Sequence, residues 1–240
     1  PLRRAYLEPG ERPRRLVLLL DVSGSMEAYA RALIRFVHAA IVGRRDVEAF
    51  ALGTRLTRLT RELSTRDPDA ALARAADAVT DWSGGTRLGD GLRLFNDAWG
   101  VRGMARGAVV VVLSDGWDRG DPAVMSEQMQ RLSRVAHKIV WVNPLKATPG
   151  YAPLAGGMAA ALPHIDLFAP VHNLKSLKDL VRYLMALRGA TAVRRPPRRI
   201  VSKMGASHSD AAPLDAYAEI VRRFQDTAAG YAYALLGDFH

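Results

Sequence analysis

The chain has no cysteine among its 240 residues. Disulfides, thiolate metal sites and cysteine nucleophiles are thereby excluded, and the composition fits a reducing cytoplasm. No apolar run approaches the length of a membrane span. The six histidines are scattered. His38 and His137 fall in predicted helices, His164 and His172 flank the last predicted strand, and His208 and His240 lie near the end, none at metal-ligand spacing with a second histidine or a nearby acid. The phosphate-loop pattern Gly-x-x-x-x-Gly-Lys-Ser/Thr is missing, as is a Gly-x-Ser-x-Gly elbow around Ser23 or Ser25. A phosphatase of the haloacid-dehalogenase type needs a second Asp two residues after Asp21, where Ser23 stands. The chain is therefore expected not to be an enzyme. Acidic residues are also few, 24 against 34 Lys and Arg, for a net charge of +10. An acidic partner or nucleic acid would suit that balance, but the excess is nearly all Arg and spread along the chain, with no RNA-binding or zinc-finger motif. It reads as an Arg-rich coding bias, and no nucleic acid is expected.

What is present begins with Leu16-Val-Leu-Leu-Leu20, five aliphatic residues that predict a strand buried on both faces. Asp21-Val-Ser-Gly-Ser-Met26 follows, which puts Asp21, Ser23 and Ser25 on the turn at its carboxyl end, the ligand-binding edge of an open α/β sheet. Three side-chain oxygens converge there without a nitrogen or sulfur donor, a set suited to Mg²⁺ or Mn²⁺. Taken alone, Asp21 and Ser25 read equally well as helix N-caps. Two further segments sharpen the choice. Ser83-Gly-Gly-Thr86 is a flexible loop offering one hydroxyl before an amphipathic helix, and Val109-Val-Val-Val-Leu-Ser-Asp115-Gly116 is a second apolar strand ending in a carboxylate. Arg87, Trp117 and Arg119 then stand around these positions. An aromatic with cationic neighbours suits an acidic protein segment, while Trp117 reads equally as a plug packed beneath its loop. Arg119-Gly-Asp121 spells an adhesion tripeptide, but Asp121-Pro122 opens a helix and the match reads as coincidence.

Strands are predicted at 15–20, 47–52, 55–60, 108–113, 138–143 and 165–168, and helices at 26–42, 69–79, 88–99, 121–137, within 149–162, and at 174–187. The short Gly53-Thr54 link makes Arg55 to Thr60 an antiparallel edge strand, and its Arg and Thr residues protect that edge. The alternation predicts a doubly wound, Rossmann-like α/β fold, a mostly parallel six-stranded sheet with helices on both faces. The expected organisation is an extension over 1–14, a domain over 15–188 and a basic linker with a tail over 189–240. Within that tail Arg194-Arg-Pro-Pro-Arg-Arg199 is stiff and basic, and 216–224 carries a thin helical stripe. A peripheral membrane or polyanion contact is the lesser reading of this cluster. Pro1 stands where an initiator Met would be, without a signal-peptide pattern after it, so a fragment of a longer protein is expected.

Asp-x-Ser-x-Ser with a Thr on a second loop and an Asp on a third resembles the metal-ion-dependent adhesion site of von Willebrand factor A (VWA) domains, all five positions matching. Arg15 to Met26, Phe50 to Arg55, Trp82 to Gly89, Leu113 to Gly120 and Trp141 to Leu145 together are similar to the CoxE-like branch. That resemblance implies a metal site of Asp21, Ser23, Ser25, Thr86 and Asp115 holding Mg²⁺ or Mn²⁺ with a position open to a partner's Asp or Glu. It also implies a cytoplasmic, non-catalytic adaptor working with a MoxR-type AAA+ ATPase in maturation of a molybdenum hydroxylase such as carbon monoxide dehydrogenase. The alternative is a general VWA adhesion or scaffold module with an unrelated partner.

Overall fold

A computed structural model describes residues 7–43, 46–79, 87–147, 156–171 and 174–194. In chain order its elements are β1 (Leu7–Pro13), β2 (Leu16–Asp21), α1 (Glu27–Gly43), β3 (Val47–Leu52), β4 (Leu56–Arg58), α2 (Pro68–Ala78) and α3 (Leu88–Phe95). There follow β5 (Val109–Leu113), α4 (Pro122–Ser133), β6 (Lys138–Asn143), α5 (Gly156–Ala161), β7 (Leu167–Pro170), α6 (Leu174–Ala186) and β8 (Arg188–Arg194).

Six strands make one sheet in the order β4-β3-β2-β5-β6-β7. Every pairing in it is parallel except β3 with β4, so the antiparallel strand sits at the edge as expected. Because side chains alternate across a strand, the apolar run of β2 feeds two cores. Leu16, Leu18 and Leu20 pack with α1, α2 and α6 on one face, while Val17 and Leu19 join Leu92 of α3, Met129 of α4 and Met158 of α5 on the other. Removing one such Leu side chain costs about 2–5 kcal/mol, so the register of β2 is fixed strongly. From β2 the chain winds outward through β3 and β4, then returns to start β5 on the opposite side of β2. The carboxyl ends of β2 and β5 therefore flank the point where the winding reverses, the place at which open α/β sheets bind their ligands.

The structure corrects several expected boundaries. The helix expected over 88–99 is α3 only as far as Phe95. Asn96–Met104 then continues as wider π-helical turns. The amide of the fully buried Asn96 donates to the Gln128 carbonyl at 3.0 Å and to Gln128 Oε1 at 3.2 Å, anchoring the transition to α4. Phe95 and Trp99 both meet Phe50, with ring centroids at 5.2 and 5.9 Å. The helix expected to reach His137 stops at Ser133, because the backbone of the next residues is taken up elsewhere: Gly107 N–H donates to the Val135 carbonyl and His137 N–H to that of Ala108, each at 2.8 Å. The last sheet strand lies at Leu167–Pro170 rather than 165–168.

Neither flank of the expected domain reads as strand in the sequence, yet β1 and β8 pair antiparallel in a separate two-stranded ribbon, Leu7 opposite Arg194 and Pro13 opposite Arg188. Pro9 and Pro13 break the period that would announce a strand, and a ribbon with two free edges tolerates them. The segment at 195–240, with the thin helical stripe at 216–224, lies outside the described residues. Among the described residues no helix is long and apolar enough to cross a membrane.

Candidate metal centre

Asp21 ends β2 and is 2% exposed. Both carboxylate oxygens are engaged. Ser23 N–H donates to Oδ1 at 2.9 Å, and the hydroxyl of Ser114 donates to Oδ2 at 2.6 Å. Burial pushes the Asp21 carboxyl up to about 6; the bonds from Ser114 and Ser23 oppose that rise, and the charge of Asp115 adds to it. A carboxylate this hard to ionise, with a second carboxylate acting on it, is an environment that a cation relieves.

The turn after Asp21 winds into a short 3₁₀ segment, Gly24–Met26, with Met26 buried beneath it. It presents the hydroxyls of Ser23 and Ser25 side by side, their oxygens 3.2 Å apart and hydrogen-bonded to each other. Adjacent ligands of an octahedral Mg²⁺ at 2.0–2.1 Å lie roughly 2.9 Å apart, so this spacing fits two neighbouring ligands of one ion. The N-cap alternative fails for both residues: the residue at the cap position is Ser23, which makes no side-chain cap, and the Asp21 carboxylate is taken up by Ser23 N–H and the Ser114 hydroxyl.

Asp115 follows β5 on a loop set by its neighbours. Its side chain accepts from Trp117 N–H at 2.9 Å, its carbonyl accepts from Asn143 Nδ2 at 2.8 Å, and the Ser114 carbonyl accepts from Trp141 Nε1 at 2.9 Å. Gly116 turns the chain at φ 80°, and a Cβ there would stand 2.8 Å from Met158 Cβ and Sδ. At Gly157 a Cβ would fall 2.5 Å from that of Asp118. The loop thus lies directly on α5, and only glycine allows that approach.

Asp21, Ser23, Ser25 and Asp115 are brought together at the point where the winding reverses, while Thr86 lies outside the described residues. Arg87 is exposed and reaches Asp90 at 3.9 Å. Trp117 is 66% exposed, so it is no plug beneath its loop, and Arg119 is exposed on the same loop. Asp121 caps α4 through Ala123 N–H at 2.8 Å, as expected for a helix start. Among the described residues there is no group of three or more His, Cys, Asp and Glu able to hold a metal; the set here has two carboxylates and relies on hydroxyls.

Sequence reasoning missed three positioning residues. Ser114 links the two carboxylate-bearing strand ends. Asn143 holds the Asp115 backbone. Asp118 accepts from Leu88 N–H at 2.9 Å, Gly89 N–H at 3.2 Å and Gly120 N–H at 2.8 Å, joining this loop to the start of α3. The Ser-Asp-Gly-Trp-Asp run was a signal for the loop, but not for what it would touch.

The family described as VWA domain containing CoxE-like protein matches residues 1–177. Among solved structures, the manganese-loaded TRAP protein of Plasmodium vivax is similar with a TM-score of 0.51 and 17% identity, over 80% of this chain and 82% of that one. A von Willebrand factor type A protein from Catenulispora acidiphila gives 0.49 and 15%, over 76% of this chain and 46% of that one. The mussel byssus proximal thread matrix protein 1 with a zinc-occupied MIDAS motif gives 0.46 and 13%, over 72% and 47%. The chain thus spans about half the length of several structures that it resembles. Among curated proteins none matches.

Proposed function

The chain belongs to the family of VWA domain containing CoxE-like proteins, and from that premise we propose that it is a non-catalytic, metal-dependent protein-interaction module. Ser23, Ser25 and Thr86 hold Mg²⁺ or Mn²⁺ directly. Both oxygens of Asp21 already accept hydrogen bonds, so its charge serves the ion at one remove, and Asp115 does so directly or through water. The observation that carries this reading is the buried Asp21 carboxylate, raised to about 6 beside Asp115 and the paired serine hydroxyls. The ion supplies a coordination position that an Asp or Glu of a partner fills, a charge-assisted contact ringed by Arg87, Trp117 and Arg119. We further propose that the partners are a MoxR-type AAA+ ATPase and a molybdenum hydroxylase such as carbon monoxide dehydrogenase, met in the cytoplasm during maturation of the hydroxylase.

Calorimetric titration of Mg²⁺ and Mn²⁺ into the folded chain tests the site, with Asp21→Ala expected to abolish binding while circular dichroism stays unchanged. Capture of a MoxR-type ATPase from the same organism, with and without chelator, tests the partner. No heat from either ion defeats the metal site; capture that is indifferent to chelator and to Asp21→Ala defeats the metal bridge.

A further inference from the structure

Beside the metal centre lies a cleft of about 260 Å³ lined by Gly53, Thr54, Arg87, Asp90, Gly91 and Leu94. That is smaller than the roughly 300–1,000 Å³ of pockets for drug-sized ligands, so it suits a single side chain. Gly53 and Gly91 contribute backbone without side chains to its lining. A Cβ at Gly91 would come 3.3 Å from Leu52 Cδ2, so buried Leu52 lies directly beneath, and Leu94, 48% exposed, supplies an apolar wall. The cleft opens on the edge that carries the metal centre. Leu52 is in register with Asp21, and Val22 N–H donates to the Leu52 carbonyl at 3.2 Å, which places Gly53 against the turn bearing Ser23. The charge at its rim is one-sided: Asp90 is met by Arg93 at 2.5 Å and by Arg87 at 3.9 Å, and the Arg87 side chain remains 69% exposed.

We propose that this cleft receives an aliphatic side chain from the same partner segment whose carboxylate reaches the ion, so that the recognised motif is an acidic residue with a Leu, Ile or Val close by in an extended stretch. The inference rests on the metal-bridge reading above. It adds a second point of contact: the ion selects the acid, Arg87 favours an acidic surrounding, and the exposed Leu94 wall selects the neighbour. A bridge through one ion alone would accept any exposed carboxylate, whereas two contacts at fixed separation discriminate among them.

The probe is a library of random linear heptapeptides displayed on phage, selected on the full chain in Mg²⁺ and eluted with chelator. Selected sequences are expected to share an Asp or Glu with an aliphatic residue within two positions. As synthetic peptides they should lose about tenfold in affinity when the aliphatic residue becomes Ser. Leu94→Asp, on an exposed helix face, should lower their affinity at least tenfold while calorimetric Mg²⁺ binding is unchanged, and Leu94→Ala should lie between. Peptides that need only the acid and bind Leu94→Asp as tightly as the parent chain overturn the cleft and leave the metal bridge standing. An absence of Mg²⁺-dependent enrichment overturns the proposal, and if calorimetry also shows no Mg²⁺ binding, the metal reading falls with it. Sedimentation of the chain alone as a dimer that Leu94→Asp converts to monomer would make the occupant a second copy of the chain and overturn the partner assignment.

Discussion

Asp118→Ala is the substitution whose effect follows most directly from the geometry. Arg87 occupies the cap position of α3 and provides no side-chain cap, so the first amides of that helix depend on a carboxylate thirty residues away in sequence. Leu88 N–H and Gly89 N–H donate to its two oxygens, and both residues are buried. Removing the acceptor leaves two amides without water to replace it, at about 1–3 kcal/mol each, and it removes a negative charge from the positive end of a helix dipole. The third bond, from Gly120 N–H, sits at a partly exposed position where water can substitute, so it adds little. A loss of about 2–4 kcal/mol is expected, on the order of a 10 °C fall in Tm for a domain of this size. Urea unfolding read by two probes measures it. Asp118→Asn keeps one acceptor oxygen and should lose about half as much. Because the same carboxylate ties the Asp115 loop to α3, Mg²⁺ affinity should also fall in Asp118→Ala, although Asp118 is not among the proposed ligands. A loss below about 1 kcal/mol, or equal losses for the Ala and Asn variants, would show that α3 is not held by this bond.

In chelator, stability should fall as pH rises from about 4 to 6, because an Asp21 carboxyl raised to about 6 from its ordinary 3.8 leaves the folded state holding the extra proton across that interval. The contribution is present below the lower value and lost through the upper one, on the order of 2–3 kcal/mol; Asp21→Asn should remove the slope, and urea midpoints with equal slopes in both proteins would contradict it. Gly116→Ala should cost about 2–3 kcal/mol against about 1 for Gly107→Ala. Both glycines have positive φ, but a Cβ at Gly107 meets only the end of the Arg14 side chain at 3.9 Å, whereas Gly116 faces Met158; equal thermal shifts would refute the packing argument. Trp117→Ala should change stability by less than about 0.5 kcal/mol, given its exposure, while weakening capture of the ATPase about tenfold. Unchanged capture would remove Trp117 from the contact surface.

The sheet was legible because its signals are local. Leu16 to Leu20 and Val109 to Leu113 are apolar without a break, which only burial on both faces explains, and the short Gly53-Thr54 link fixed the direction of β4. The acid and serine positions of the candidate site could be placed for the same reason, as each follows immediately on a strand end. Residues whose role is set by a distant segment could not be read. Asp118 looks like any loop acid until the amides of α3 stand opposite it, and Ser114 looks like strand punctuation until Asp21 accepts its hydroxyl. His38 is a milder case, a helix residue in sequence that proves to be buried, with Nε2 at 2.8 Å from the Thr65 carbonyl. The turns after Phe95 are tied to α4 through Asn96 and Gln128, a contact that no window along α3 contains.

The ribbon of β1 and β8 bears on how the domain responds to load. Leu7 and Arg194 face each other at one end of the ribbon, and Pro13 and Arg188 face each other at the other, next to the entry to β2, where Arg14 N–H also meets the Leu187 carbonyl at 3.4 Å. A tension applied between Leu7 and Arg194 therefore acts across the strands and opens the rungs one after another, like a zip, instead of shearing them together. Serial opening yields at low force. The ribbon would lengthen and dissipate the pull before β2 felt it, so strain arriving through the flanking segments would be spent ahead of the amino end of β2, the end opposite Asp21, and the geometry around the ion would keep its shape while the tether gave way.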